Sequence, residues 1–214
     1  MEGTVATASG QSVRTYWFML GIVLCLGFSI NYWMVTLIPA SAVMAINPIV
    51  LLVGYFVLAF GGIWLSHSSD DPKISFLGYL MVVVPVGIVI IPFVQSFDPM
   101  IVEKAVLFTA MLSGIMAFGG FLFPQFFRSI GGILFWALLA AIIAEIIMMI
   151  IGYDLAAMDW IVAVIFMGFI GYDFSMALKD EPTIDAAIDR AVSLYLDIIN
   201  LFIRVLSIMG KSRD

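Results

Sequence analysis

Seven stretches of this chain are long and apolar enough to cross a lipid bilayer: roughly residues 15–38, 47–66, 74–97, 103–123, 130–151, 159–178 and 190–209. A helix needs about 20 apolar residues to cover the hydrocarbon. Each run is apolar on all sides, whereas strands of a membrane barrel alternate apolar and polar residues. Short breaks separate the runs: "PASAVMAINP", "HSSDDPK", "SFDPM", "PQFFRSIGG", "GYDLAAMD" and "KDEPTIDAAIDR". The chain is 64% hydrophobic and 11% charged, with a mean hydropathy of +1.16. Soluble domains run nearer half apolar and about a quarter charged, so a water-soluble core could not hide this much surface. The expected fold class is an all-α polytopic membrane protein, a single seven-helix domain over residues 1–214.

Composition then excludes several chemistries. No break is long enough to hold a soluble domain. The polar start "MEGTVATASGQSVR" precedes an apolar run too long for a signal-peptide core, so the first span is expected to stay. Cys25 is the only cysteine and His67 the only histidine, which leaves no thiolate or His-based metal or catalytic site. No resident cofactor is expected. The net charge of −6 comes without a basic patch, so nucleic acid is not an expected partner. Arg14, Lys73, Arg128, Lys179 and Arg190 fall on the N-terminal side of the spans, against Lys104, Arg204, Lys211 and Arg213. That small excess favours an N-terminus inside.

The chain holds 15 acids, and most have an ordinary place. Glu2, Asp70, Asp71, Asp98, Asp180, Glu181, Asp185, Asp189 and Asp214 read as loop or tail residues, and Glu103, Asp154 and Asp159 as span ends. Glu145, Asp173 and Asp197 remain inside spans. An ionisable group at mid-membrane costs about 2.5–3.5 kcal/mol on insertion scales, so such groups usually face the bundle interior and carry function.

Asp173 and Asp197 form a pair by position. One lies near the end of the sixth span and the other near the start of the seventh, each roughly 8–10 Å below the same membrane face. The connecting "KDEPTIDAAIDR" makes the two helices antiparallel neighbours. Facing carboxyls cannot both ionise cheaply, so they titrate as a unit. That makes either a proton switch or, with both ionised, a cation site. The plainer alternative is a snorkelling Asp173 and a structural hydrogen-bond acceptor at Asp197. Asn200 and Arg204 follow Asp197 at i+3 and i+7, a polar stripe suited to a helix surrounded by protein. Arg204 is near enough to the helix end to reach headgroups. Glu145, in "LLAAIIAEIIMMII", has no evident cation at its depth; it is a protonated acid, a backbone-bonded one, or a pore-lining one.

Other features read as structural. Pro85 and Pro92 predict a kinked third span. "GIMAFGGF" offers small residues for close helix approach. "IGYD" at 151–154 and 170–173 is a coincidence rather than a repeat.

The C-terminal third, "GFIGYDFSMAL" (168–178) followed by "SLYLDIINLFIRVL" (193–206), resembles the transmembrane Bax inhibitor motif family, in which an aromatic–Asp pair ends the penultimate helix and the last carries L-[YF]-L-D-[FI]-I. "KAVLFTAML" (104–112) and "VRTYWFMLGIVL" (13–24) resemble its fourth and first helices. The resemblance implies seven helices with the last wrapped by the other six. It also implies a proton-sensitive Ca2+ leak whose two sensing aspartates fall on Asp173 and Asp197. The basic latch that some prokaryotic members carry at the end of the second helix is replaced by Ser66 and His67, so closure would rest on the carboxyl pair or on His67.

The function expected is a passive pH-gated Ca2+ leak, with protons and Ca2+ as the small partners and Asp173 and Asp197 as the oxygen ligands of the passing ion. The chain is not expected to be an enzyme. An intramembrane aspartyl protease would need Gly-x-Gly-Asp and Pro-Ala-Leu, which "LYLDIINLF" lacks, and a photoreceptor would need a lysine in the last span. A proton-coupled antiporter or a non-transporting scaffold remains as the alternative. Short loops point to a prokaryotic plasma membrane.

Overall fold

The structure, a computed structural model, describes residues 3–211; Glu2, Arg213 and Asp214 lie outside the described residues. The helices are α1 (Gly3–Leu37), α2 (Ala40–Met44), α3 (Pro48–His67), α4 (Pro72–Gln95), α5 (Pro99–Leu122), α6 (Pro124–Ile150), α7 (Ala156–Ala177) and α8 (Ile184–Lys211). Seven are long and apolar enough to span a membrane, with α1 contributing Val13–Leu37. The eighth, α2, is a single turn inside "PASAVMAINP". The fifth, sixth and last spans of the sequence reading are therefore α6, α7 and α8.

The breaks start helices as much as they end them. Asn47, Asp71 and Asp98 each cap the helix that follows, and each is followed by proline at the first helical position. Asn47 Oδ1 accepts from the Ile49 amide at 2.9 Å, Asp71 Oδ1 from Lys73 at 2.9 Å, and Asp98 Oδ1 from Met100 at 2.8 Å. A side-chain acceptor satisfies one orphan N–H, and proline removes another while presetting φ. Helix α6 ends in a Schellman turn. Gly152 takes φ +73°, the Gly152 amide donates to the Met149 carbonyl at 3.3 Å, and the Tyr153 amide donates to Met148 at 2.8 Å. The first "IGYD" is thus a turn while the second is helical, so the two copies share letters and no conformation.

The chain divides into two compact units, Met1–Ser96 with Asp180–Tyr195, and Phe97–Lys179 with Leu196–Asp214. In the first, α4 packs against α1, α2 and α3; in the second, α7 packs against α5 and α6. Burial inside the protein covers 56% of the α4 span and 50% of those of α7 and α8, against 6% of α6. The sheltered last helix is as expected, and α4 and α7 share that shelter. Pro85 and Pro92 lie within an α4 that continues unbroken through both.

Glycine makes the closest approaches. A Cβ on Gly62 would lie 2.5 Å from the Gly78 carbonyl oxygen, and one on Gly78 would lie 2.5 Å from the Gly62 carbonyl oxygen. In the second unit a Cβ on Gly120 would lie 2.3 Å from the Gly171 carbonyl oxygen. The small residues of "GIMAFGGF" therefore let α5 approach α7 to backbone contact at Gly171, two residues before Asp173. Close approach through small residues is how membrane helices gain packing energy when lipid supplies no hydrophobic drive between them.

Candidate functional site

Helix α8 carries Asp189, Tyr195, Asp197, Asn200, Arg204, Ser207 and Lys211, and its described partners fall into two sets. In the second unit, Asp173 on α7 and Asp197 on α8 are both buried, with 7% and 9% exposure. Each takes part in polar interactions within the protein. Their relative depth follows from a neighbouring bond. Ser207 Oγ donates to Asp159 Oδ2 at 2.6 Å, which levels α8 residue 207 with α7 residue 159. Fourteen residues further along α7 is Asp173, level with residue 207 − 14 = 193 of an antiparallel α8. Asp197 is then about 6 Å, roughly one turn, from that level. Side chains lean toward the N-terminus of their own helix, so these two lean toward each other.

Further along the same two helices lies an ion network that the sequence reading missed. Arg204 donates from Nη1 and Nη2 to Glu145 on α6 at 2.5 and 2.9 Å. The same Nη1 reaches Asp159 on α7 at 3.0 Å. Lys211 Nζ donates to Asp159 Oδ2 at 3.0 Å and lies 4.0 Å from Asp154. Two expectations are corrected here. Glu145 has a cation at its own depth, because Arg204 turns inward to it rather than out to headgroups. Asp159 is not a plain span-end acid but a buried one, 4% exposed, shared by two cations and a hydroxyl. A guanidinium in low dielectric gains more from a bidentate carboxylate than from an exposed interface. The signal was in the sequence: Arg204, Ser207 and Lys211 fall at i, i+3 and i+7, one face of α8.

Asn200 does not continue that face as a partner. Its amide donates to the Leu196 carbonyl of its own helix at 2.7 Å. Arg204, one turn further along, pairs with Glu145 and Asp159 instead.

Basic residues near Asp173 are also placed. Arg128 on α6 donates from Nε and Nη2 to the Ser175 carbonyl at 3.0 and 2.6 Å, two residues beyond Asp173. Lys179 donates its amide to Met176 instead, so Arg128 fills a carbonyl at the end of the helix ladder. His67 closes α3 with Nδ1 3.0 Å from the Ile63 carbonyl oxygen.

In the first unit Asp180, Asp185 and Asp189 of "KDEPTIDAAIDR" are engaged, although they read as loop residues. Helix α8 begins at Ile184, within that break. Ser66 Oγ donates to Asp189, and Ser75 Oγ donates to Asp185 at 2.5 Å; both serines are fully buried. Asp180 accepts from Tyr16 at 2.7 Å and from Arg190 at 2.8 and 2.9 Å. Deeper along α8, Tyr195 Oη donates to Asn31 Oδ1 at 2.5 Å, and Asn31 Nδ2 donates to the Val83 carbonyl at 3.1 Å.

Among the described residues, no three acidic, histidine or cysteine side chains converge as a metal-holding group. Ca2+ takes about 6–8 oxygen ligands. Two carboxylates would supply only part of such a shell, which suits an ion in transit.

A Deinococcus radiodurans protein described only as uncharacterized is 27% identical over 148 residues, covering 65% of this chain and 62% of that relative. The match therefore spans less than two thirds of that relative's length. The profile of a membrane-protein family, described as Inhibitor of apoptosis-promoting Bax1, matches residues 11–214. With seven spans and this match across nearly its whole length, the chain is a multi-pass integral membrane protein that belongs to the Inhibitor of apoptosis-promoting Bax1 family.

Proposed function

We propose that this protein is a passive, pH-gated Ca2+ leak in which Asp173 and Asp197 are the gate. The observation that carries the reading is the burial of both carboxyls on antiparallel α7 and α8 of one unit, about a turn apart in level. Family membership supports the direction. Sharing a proton, the pair holds α7 and α8 together and closes the path. Both ionised, they repel in low dielectric, part the helices and offer hard oxygens to Ca2+. No covalent step is involved, so the chain acts as a conduit rather than an enzyme. A bacterial plasma membrane is the proposed setting, in keeping with the bacterial relative.

Purified protein in liposomes loaded with a calcium dye tests the reading. Flux through the wild type is expected to rise as pH rises through the titration of the pair. Asp197→Asn cannot ionise, so its flux should stay near the closed level at every pH. Absent wild-type flux at all pH values, or an unchanged pH profile in Asp197→Asn, would sink the proposal. Proton movement coupled to Ca2+ in the opposite direction would replace it with the antiporter.

A further inference from the structure

We propose that Thr109 and Ser113 of α5 form a water-bearing hydroxyl step, which carries the hydrated cation between the Asp173–Asp197 gate and the membrane face where α7 begins. This role rests on the leak reading and extends the path beyond its two aspartates. Thr109, Ser113, Asp173 and Asp197 all lie in the second unit.

Both hydroxyls are enclosed by protein, with Thr109 3% and Ser113 9% exposed. Among the described residues, neither Thr109 Oγ1 nor Ser113 Oγ has a hydrogen-bond partner. A hydroxyl on a helix commonly donates to the carbonyl four residues back. On α1, Ser29 does so to Cys25 at 2.7 Å and Thr36 to Tyr32 at 2.9 Å. Thr109 and Ser113 have the same option in the carbonyls of Ala105 and Thr109, and neither takes it. A hydroxyl left unpaired in low dielectric has given up its hydration for nothing, so the fitting partner is water.

Placement along the helices gives that water a direction. The close approach of Gly120 to Gly171 sets residue 120 of α5 level with residue 171 of α7. As alternate spans, the two helices run the same way. Seven residues before Gly120, Ser113 is level with residue 164 of α7; eleven before it, Thr109 is level with residue 160. At about 100° per residue, both lie within about 20° of the line of Gly120, on the face of α5 that meets α7. Asp197 is level with residue 169 of α7 on the scale set by Ser207 and Asp159. Ser113 is then about 8 Å and Thr109 about 14 Å from the level of Asp197, measured along the helices. Thr109 comes within one residue of the level of Asp159, a member of the Arg204 network. Two open hydroxyls thus stand in the stretch between the acid pair and that network.

Their chemistry suits an ion in transit. A hydroxyl both donates and accepts, so it can hold a water of the cation's shell or replace one. Its oxygen is a hard but uncharged ligand for Ca2+, and conduction needs sites that an ion can leave.

Thiol labelling tests the step without relying on flux. Cys25 is the only cysteine, so Cys25→Ser supplies the background for Thr109→Cys, Ser113→Cys and Ala110→Cys. Ala110 lies at the depth of Thr109 on the exposed side of α5 and serves as the lipid-facing control. In liposomes at alkaline pH, a cationic methanethiosulfonate should label positions 109 and 113 about a hundredfold faster than position 110. That ratio reflects the cost of bringing a charge to mid-membrane without water, and the thiolate itself forms only where water reaches. Equal rates at all three positions overturn the proposal even if the wild type conducts. Fast labelling in a protein that passes no Ca2+ leaves the hydroxyl step standing and removes only the leak. Thr109→Val and Ser113→Ala keep the shape and delete the hydroxyls, and each should lower Ca2+ flux at alkaline pH about fivefold. Unchanged flux together with a raised unfolding temperature would mark the hydroxyls as dry packing and overturn the proposal.

Discussion

Arg204→Met is expected to destabilise the fold by about 3 kcal/mol, the cost of leaving one partner of a buried ion pair without the other. The side chains of Arg204, Glu145 and Asp159 are 24%, 18% and 6% exposed, so solvent screens the network little. The loss falls unequally. Asp159 keeps Ser207 at 2.6 Å and Lys211 at 3.0 Å, whereas Glu145 loses both bonds from the guanidinium and is left as an acid among apolar side chains. Glu145→Leu combined with Arg204→Met removes that stranded acid. The double variant should unfold at a higher temperature in detergent micelles than Arg204→Met alone, a non-additive result that follows when two residues serve one interaction. Equal or additive losses would mean that the network is not holding α6 to α8.

Gly78→Ala should be as damaging, although it adds one methyl group. Its Cβ would meet the Gly62 carbonyl oxygen at 2.5 Å and the Ser66 amide nitrogen at 2.7 Å. Both are backbone atoms, so no rotamer change relieves the clash, and α3 and α4 must separate. Overpacking of this kind costs about 1–3 kcal/mol, with the upper end expected where only backbone can give way. Separation would also weaken the Ser66–Asp189 bond one turn further along. Gly54→Ala on the same α3 helix is the matched control, since nothing lies within 4 Å of its added Cβ. That variant should be neutral or more stable by about 0.5–1 kcal/mol from helix propensity alone. Thermal unfolding of the two variants side by side measures the contrast directly.

Much of the fold was legible in the residues. Runs of apolar residues predicted all seven spans, and the Asn-Pro and Asp-Pro dipeptides in the breaks mark where α3, α4 and α5 begin. The start of α8 was misplaced for a clear reason. "TIDAAIDR" carries Asp185, Asp189 and Arg190, and a charged stretch beside a membrane span reads as loop. Ser66, Ser75 and Asp180 answer those charges, and the helix continues through them. The same reasoning failed at Glu145, whose partner lies 59 residues away, and at Asp159, whose partners lie on a helix 45 to 52 residues further on.

What the sequence determined by itself was what depends on neighbours along the chain: the length of the spans and the starts of α3, α4 and α5. Burial is a property of a run of residues, and a run can be read. Tertiary structure alone decided which carboxylate meets which cation and which glycine meets which carbonyl. It also decided that Tyr195, the aromatic of the "LYLDII" pattern, is bonded to Asn31. A charge or hydroxyl in low dielectric must find a partner within about 3 Å, and only packing of distant helices selects that partner.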